Sequence, residues 1–443
     1  MARPKPISGY PEFLPSGRLV EQRVLDILRE TFELHGFTPI ETRAVEPMDV
    51  LTRKGEITKE VFVVRRLHAD ESDERAGEMG LHFDLTVPFA RYVLEHAGHL
   101  AFPFRRYQVQ KVWRGERPQE GRYREFLQAD IDIVGQDQLP EHFDVEAPLV
   151  MLAALERLHV ELGLPQALMH VNNRKLAEGF YRGLGIENTL DVLQRVDQYD
   201  KIGPGAVAEL LTTELGLSDE VAAKCVQLAG ICTPDDSFVE QVRALGVEHE
   251  LLDEGLASLQ AVVNAANAQV PGRIVADMKI ARGLDYYTGT VYETELVGHE
   301  KLGSISSGGR YDSLASDGKV TFPGVGISLG VTRLLGPMIT KGTITASRSV
   351  PSCVLVAVDS EESRPHAMET ARQLRERGIP CEVAAKADKF GKQIRYADRR
   401  GIPYVWFESG EVKDIRSGEQ VQADAATWTP PAEDLRPEIR MGS

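Results

Sequence analysis

Apolar and polar positions alternate along this chain in three different rhythms, and each rhythm predicts a different element. Val20, Val24, Ile27, Leu28 and Thr31 recur at three- and four-residue steps with charges between them. That spacing predicts an amphipathic helix over 17–35, stopped by Gly36. An extended segment from Phe37 to Pro47 follows. Short runs rich in β-branched and aromatic residues predict strands at 60–66, 81–87, 107–113, 126–134, 273–280 and 286–297. The first pair flanks a charged loop, Asp70 to Glu78, and the second is joined by the polar loop 114–125. From about 172 to 268 Leu, Ala and Glu fall at helical spacing. The run Pro323-Gly324-Val325-Gly326-Ile327-Ser328-Leu329-Gly330 leads into a helix at Val331.

Beyond the polar, Ser/Thr-rich stretch Lys341 to Ser349, which reads as a linker, the rhythm changes. Val354 to Val358, Glu382 to Ala385 and Tyr404 to Phe407 predict strands, with helices over 361–377 and 388–400 between them. That alternation predicts a small α/β domain with a mostly parallel sheet. The tail from Trp428 carries several prolines and scattered charges and is expected to be irregular.

Length and composition narrow the class. A chain of 443 residues suggests about three domains. No apolar run approaches the ~20 residues of a membrane span. The basic start Met1-Ala2-Arg3-Pro4-Lys5-Pro6 has no hydrophobic region behind it, so it does not read as a signal peptide. Cys225, Cys232, Cys353 and Cys381 form neither a zinc spacing nor a disulfide framework, and Cys225 and Cys232 are expected on a helix in the core. This cysteine usage fits a reducing cytoplasm. The formal net charge of −16 argues against a nucleic-acid binder in bulk, since phosphate contacts need local Lys and Arg. One segment near the C-terminus is nevertheless basic.

Six stretches carry candidate chemistry. Arg114, Arg117, Arg122 and Arg124 crowd the loop 114–125, and guanidinium groups grip phosphate oxygens bidentately. In Gly324-x-Gly326-x-Ser328-x-Gly330-x-x-Arg333 the glycines let a backbone approach a ligand, and Arg333 can point back to it. This run does not open a strand-helix-strand unit, so it is not the dinucleotide fingerprint. Gln128, Asp130 and Asp132 alternate, which puts them on one strand face. Acids buried there without a partner are costly. In Arg282-Gly283-Leu284-Asp285-Tyr286-Tyr287 and Ser307-Gly308-Gly309-Arg310-Tyr311-Asp312, arginines stand beside acids and phenols in strand-like sequence. A buried strand has no structural use for that mixture unless something polar binds. Finally, Lys389, Lys392, Arg395 and Arg399 share one helix face, a plausible footprint for a phosphate backbone. His96 and His99 lack a third ligand, and no metal-binding residues are expected.

The two Arg/Tyr segments resemble the signature segments of the histidyl-tRNA synthetases, a family of class II aminoacyl-tRNA synthetases. The resemblance runs nearly end to end. The helix and extended segment over 17–47 resemble class II motif 1, the dimer element, with Arg43 where the family often has Pro. Trp113-Arg114-x-Glu116 with Arg122 and Phe126 resembles motif 2, and the glycine run with Arg333 resembles motif 3. The resemblance implies an α+β fold. Its catalytic core is built on a mainly antiparallel sheet flanked by helices (1–171 and 269–342), with a helical insertion (172–268). A C-terminal α/β anticodon-binding domain (350–425) and a tail (426–443) complete it.

It also implies ATP-dependent loading of L-histidine onto tRNA(His), with Mg2+, in a cytoplasmic homodimer that does not contact membrane. Arg114 would hold the α-phosphate and Arg122 the γ-phosphate. Glu116 and Phe126 would contact adenine, and Arg333 would lie beside adenine and the γ-phosphate. Asp84, Thr86 and Gln128 would bind the ammonium. Asp132 and Tyr287 would bind the imidazole, with Tyr286 also at the histidine and Tyr311 closing the pocket. Arg282 would stabilise charge in the transition state. Some members carry Glu where Asp84 and Asp132 stand here. The basic face of Lys389, Lys392, Arg395 and Arg399 would meet tRNA.

Overall fold

The computed structural model describes residues 4–52, 60–68, 78–280, 287–316 and 318–442. It divides into two compact units, residues 1–11 with 26–337 and residues 12–25 with 338–443. The predicted first helix is α1 (Pro15–Leu34). Its periodic residues Val20, Val24, Ile27 and Leu28 are fully buried, and Gly36 follows it at φ 78°.

In the first unit the chain continues through β1 (Thr38–Pro39), β2 (Val45–Pro47), α2 (Met48–Leu51), β3 (Val63–Val64) and β4 (Met79–Leu81). After these come α3 (Thr86–His96), β5 (Phe104–Trp113), β6 (Glu125–Val134), α4 (Phe143–Leu162) and β7 (Ala167–Asn173). Helices α5 (Arg174–Gly183) to α11 (Glu250–Gln269) are next, with β8 (Cys232–Thr233) among them. The unit then runs through β9 (Ile274–Asp277), β10 (Thr290–Leu296), β11 (Ser306–Ser316) and β12 (Thr321–Gly330) into α12 (Val331–Lys341).

A nine-stranded sheet organises this unit, in the order β1-β5-β6-β12-β11-β10-β7-β9-β8. Its pairs are antiparallel except β1 with β5 and β7 with β9. Its two faces differ in chemistry. Ala129, Ile131, Ile133, Val325 and Leu329 are fully buried on one face. The mostly apolar α4, with Met151, Ala154 and Leu158 buried, supplies partners for such a surface. Burying these aliphatic side chains is worth roughly 1.5–3 kcal/mol each for the larger ones. The opposite face is polar and is taken up below.

Several expectations need correction. Residues 81–87 are not a strand: β4 ends at Leu81 and α3 begins at Thr86. The sequence after Asp84 has a helical rather than a two-residue rhythm, and α3 buries Val87, Phe89, Ala90 and Val93. The glycine run, for which no strand was predicted, is strand β12. Cys232 is exposed on β8, whereas Cys225 is buried in a helix as expected. Helix α4 and strand β7 were not anticipated. The charged loop Asp70 to Glu78 lies outside the described residues, apart from Glu78.

The second unit contains β13 (Ile344–Ala346), β14 (Val354–Val356), α13 (Arg364–Glu376), β15 (Cys381–Val383), α14 (Phe390–Arg400), β16 (Tyr404–Trp406), β17 (Glu411–Asp414), β18 (Gln420–Gln422) and β19 (Ile439–Met441). The order β15-β14-β16-β17-β18 starts parallel and ends antiparallel. The expected linker and the expected irregular tail both contain strand, because β13 pairs with β19. The tail is also tied in by Asp434, whose carboxylate accepts from Tyr404 at 2.7 Å and pairs with Arg416 at 2.7 Å.

Candidate functional site

Strand register assembles the polar face of the large sheet. Arg106 and Gln108 on β5 lie opposite Asp132 and Asp130 on β6. Those acids lie opposite Gly326 and Ser328 on β12. Gly326 and Ser328 in turn face Gly309 and Ser307 on β11, and these face Val291 and Glu293 on β10. The alternation of Gln128, Asp130 and Asp132 therefore does place them together, and all three are buried.

Missing side chains make the room. A β-carbon at Gly326 would overlap the Asp132 carboxylate, and one at Gly324 would strike the Tyr311 ring at 2.5 Å. A β-carbon at Gly309 would come within 2.7 Å of the Tyr287 ring. Only glycine lets acid and phenol stand this close to the neighbouring strand.

Asp132 is the hub. Its Oδ2 lies 2.6 Å from the Arg106 guanidinium, and its Oδ1 accepts from the Tyr311 hydroxyl at 2.7 Å. Arg106 is 0 % exposed and sits 4.2 Å over the Phe89 ring. Reading the sequence missed Arg106. It stands one residue ahead of the strand predicted over 107–113, and its even spacing from Gln108 was the available signal. Burial drives the Asp132 carboxyl up to about 7, with Asp130 and Asp84 adding repulsion and Arg106 opposing. Asp84 is pushed up to about 6 by burial, against a hydrogen bond from the Val87 N–H and attraction to Arg114. Asp130 is raised as well, again chiefly by burial. Among the described residues, Asp130 Oδ2 and Gln128 Oε1 are buried without a hydrogen-bond partner. Three carboxylates and two idle acceptors on one face suit a ligand rich in N–H donors and positive charge.

Beside this acidic hollow lies a cationic rim. Arg114 donates from Nε to the Phe83 carbonyl at 3.0 Å and stands 5.2 Å over the Phe126 ring. Arg122 pairs with Glu116 at 3.4 Å. Arg333 follows β12 in α12, next to Thr332, whose hydroxyl accepts from the Leu127 N–H at 2.8 Å. Burial lowers the Arg333 guanidinium below its ordinary value, and Arg122 and Arg114 lower it further. The three arginines from two distant stretches thus feel one another. Arg333 Nε has no partner among the described residues, although its terminal nitrogen donates to the Leu302 carbonyl at 2.6 Å. Like charges held together in this way suit an anion. Glu60 adjoins the rim: its carboxyl is raised by burial and by the neighbouring Glu116.

Of the remaining expected residues, Thr86 opens α3, two residues after Asp84. Arg282 and Tyr286 lie outside the described residues. Arg310, in the second signature segment, has a structural use after all. It pairs with buried Asp144 of α4 at 2.7 Å and donates to the carbonyls of Leu139 and Pro140. Arg310 and Tyr311 are adjacent in a strand and so serve opposite faces. In the second unit Lys389, Lys392, Arg395 and Arg399 are all exposed, while Gln393 and Ala397 on the same helix are buried. Lys392 pairs with Asp388 at 2.8 Å.

Comparison with known proteins agrees with this geometry. The family model for histidyl-tRNA synthetase matches residues 9–334, and that for an anticodon binding domain matches residues 352–407. The chain belongs to the histidyl-tRNA synthetase family. It is 69 % identical to a histidine–tRNA ligase of Cutibacterium acnes, over 99 % of each chain. It is 60 % identical to that of Micrococcus luteus, again over 99 % of each. A crystal structure of histidyl-tRNA synthetase from Nostoc sp. PCC 7120 superposes with a TM-score of 0.84 at 33 % identity, covering 96 % of this chain and 98 % of that one. The histidyl-tRNA synthetase fold expected from the motifs, an antiparallel core with helices and a C-terminal anticodon-binding domain, is the fold found. None of the described helices is long and apolar enough to cross a membrane.

Proposed function

We propose that the polar face and its cationic rim join L-histidine to ATP, and that the basic helix α14 receives the tRNA. The chain is a histidine–tRNA ligase, an aminoacyl-tRNA synthetase. It makes histidyl-adenylate and pyrophosphate, then passes histidine to the 3′ end of tRNA(His) and releases AMP. One observation carries the residue assignment: a buried acidic hollow with idle acceptors directly adjoins converging arginines.

In this reading Asp84, Thr86 and Gln128 take the ammonium, with Asp130 adding negative charge behind them. Asp132 accepts from an imidazole N–H, Tyr287 lies beside the ring, and Tyr311 closes the pocket. Tyr286 is assigned to histidine on the family resemblance alone. The amino-acid carboxylate oxygen then attacks the α-phosphorus, and the bond to pyrophosphate breaks. Arg114 holds the α-phosphate, and Arg122 and Arg333 hold the γ-phosphate. Glu116 and Phe126 flank adenine. Arg282 is assigned to the charge that develops in the transition state. Fixed guanidiniums stabilise such charge without reorganising. No side chain is named as base for the transfer step.

Mg2+ belongs with the triphosphate, where it would neutralise β- and γ-oxygen charge. The crowded carboxyls of Glu60 and Glu116 beside Arg114 and Arg122 are hard oxygen donors that suit it. A homodimer in the cytoplasm completes the proposal. The assignment is tested with Arg114→Ala, which should slow histidine-dependent ATP–pyrophosphate exchange by roughly 10²–10³, the scale of losing one oxyanion-type donor. Exchange at the parent rate would remove Arg114 from the chemistry.

A further inference from the structure

We propose that Arg106 is a positioning residue for histidine recognition: it holds Asp132 as an ionised, acceptor-only carboxylate aimed at the imidazole. This rests on the reading that Asp132 accepts from the substrate ring.

The geometry leaves Arg106 little else to do. It is wholly buried, so it cannot steer substrate from solvent. Its guanidinium lies 4.2 Å over the Phe89 ring and 2.6 Å from Asp132 Oδ2. Its other contacts, Gln108 Oε1 at 3.4 Å and the Leu85 carbonyl at 3.5 Å, are long. An ionised carboxylate offers about four lone-pair positions. Arg106 takes one on Oδ2 and the Tyr311 hydroxyl one on Oδ1, which leaves acceptors for a ring N–H. A protonated carboxyl would present a donor in the same place and lose that discrimination.

The groups that bear on Asp132 come from every neighbouring element. Asp130 on β6 and Asp84 ahead of α3 repel its charge. Tyr311 on β11 donates to it, and Tyr287 stands by Tyr311. Arg106 on β5 is the nearest cation, and Arg114 lies farther off beside Asp84. Burial and the two acids favour protonation, and Arg106 opposes both. Asp132 already stands at about 7 with Arg106 in place. Removing the guanidinium moves it higher, so at neutral pH most Asp132 becomes neutral. Each further unit cuts the ionised fraction about tenfold.

The test is pyrophosphate exchange from pH 6 to 9 on Arg106→Met, Arg106→Lys and Asp132→Asn, with KM for histidine and for ATP measured separately. Methionine keeps most of the volume against Phe89 without charge. We expect Arg106→Met to raise KM for histidine about fivefold at pH 7 with KM for ATP nearly unchanged. The acidic limb of kcat/KM for histidine should move to higher pH by about one unit. Arg106→Lys, which keeps the charge, should return most of that limb, and Arg106→Gln, also uncharged, takes the place of the methionine variant if that one fails to fold. If Asp132→Asn raises KM for histidine but neither Arg106 variant moves the acidic limb, the role of Arg106 is refuted. The same holds if both KM values rise together with no limb shift, which is the mark of a structural residue. If Asp132→Asn itself leaves KM for histidine unchanged, the underlying assignment of Asp132 falls instead.

Discussion

The two sheets of this protein bury opposite things. In the second unit the central strands are apolar through and through: Val354, Leu355 and Val405 are fully buried, and Val356 and Trp406 nearly so. Its cationic face lies outside, on α14, and its buried charged residues, Arg348 and Asp434, lie outside the strands of that sheet. In the first unit a sheet face encloses Arg106, Asp130 and Asp132. The second unit can therefore meet its ligand without compromising its core. On the assignment proposed above, the first places its ligand chemistry where folding is penalised, because its acids are desolvated.

Replacing Lys389, Lys392, Arg395 and Arg399 together by Ala should show the separation most strongly. Affinity for tRNA should fall by about 10²-fold or more, and the slope of log K against log salt should shrink by roughly 0.7–0.9 per lost contact. Histidine-dependent pyrophosphate exchange and melting temperature should hardly change. An unaltered salt slope, measured by filter binding, would take the tRNA off this helix.

Asp130→Asn probes the other side of the contrast. It should stabilise the ligand-free protein by about 1–2 kcal/mol at pH 8, since a neutral amide replaces a desolvated acid, while weakening histidine activation. Destabilisation in denaturant titrations would mean that the acid is better satisfied than its idle Oδ2 indicates.

A smaller effect separates the units by pH. Asp84 and Asp132 have folded values raised to about 6 and 7, so the folded chain binds more protons than the unfolded one between about pH 4 and 7. Such groups cost stability as pH rises through that window. In the second unit Asp434 and Asp414 are held below their usual value, mainly by Arg416. Their contribution is complete above the ordinary carboxylate range and is lost only in stronger acid. From pH 8 to 6 the ligand-free protein should therefore gain a few degrees in melting temperature, and the double variant Asp84→Asn, Asp132→Asn should lose that gain. An equal gain in the double variant would assign it elsewhere.

What could be read from sequence follows from the same contrast. Helix α1, strands β5 and β6, and the strand-helix alternation of the second unit were legible because their faces separate cleanly into apolar and polar. Residues 81–87 were misjudged because Asp84 turns the chain into a helix that begins with β-branched Thr86 and Val87. No strand was read at β12 because a glycine-rich strand has lost the side chains that betray a strand. Arg310 was misread as ligand chemistry because its partner, Asp144, sits on a helix 166 positions away. Arg106 was overlooked for the opposite reason: the second of two adjacent arginines, Arg105 and Arg106, looks like surface charge until the register sets it against Asp132.

The glycines also restrict how this pocket can change. Where Gly326 abuts Asp132 and Gly324 abuts Tyr311, the wall is already glycine, and it cannot be trimmed further. Making room for a bulkier amino acid would have to begin with the acid or the phenol, the groups proposed above to recognise histidine. Shrinking it by adding a methyl collides with the same groups. Retargeting the pocket to another amino acid therefore calls for coordinated changes on neighbouring strands, and single-site libraries at 324 or 326 should yield inactive proteins rather than altered ones.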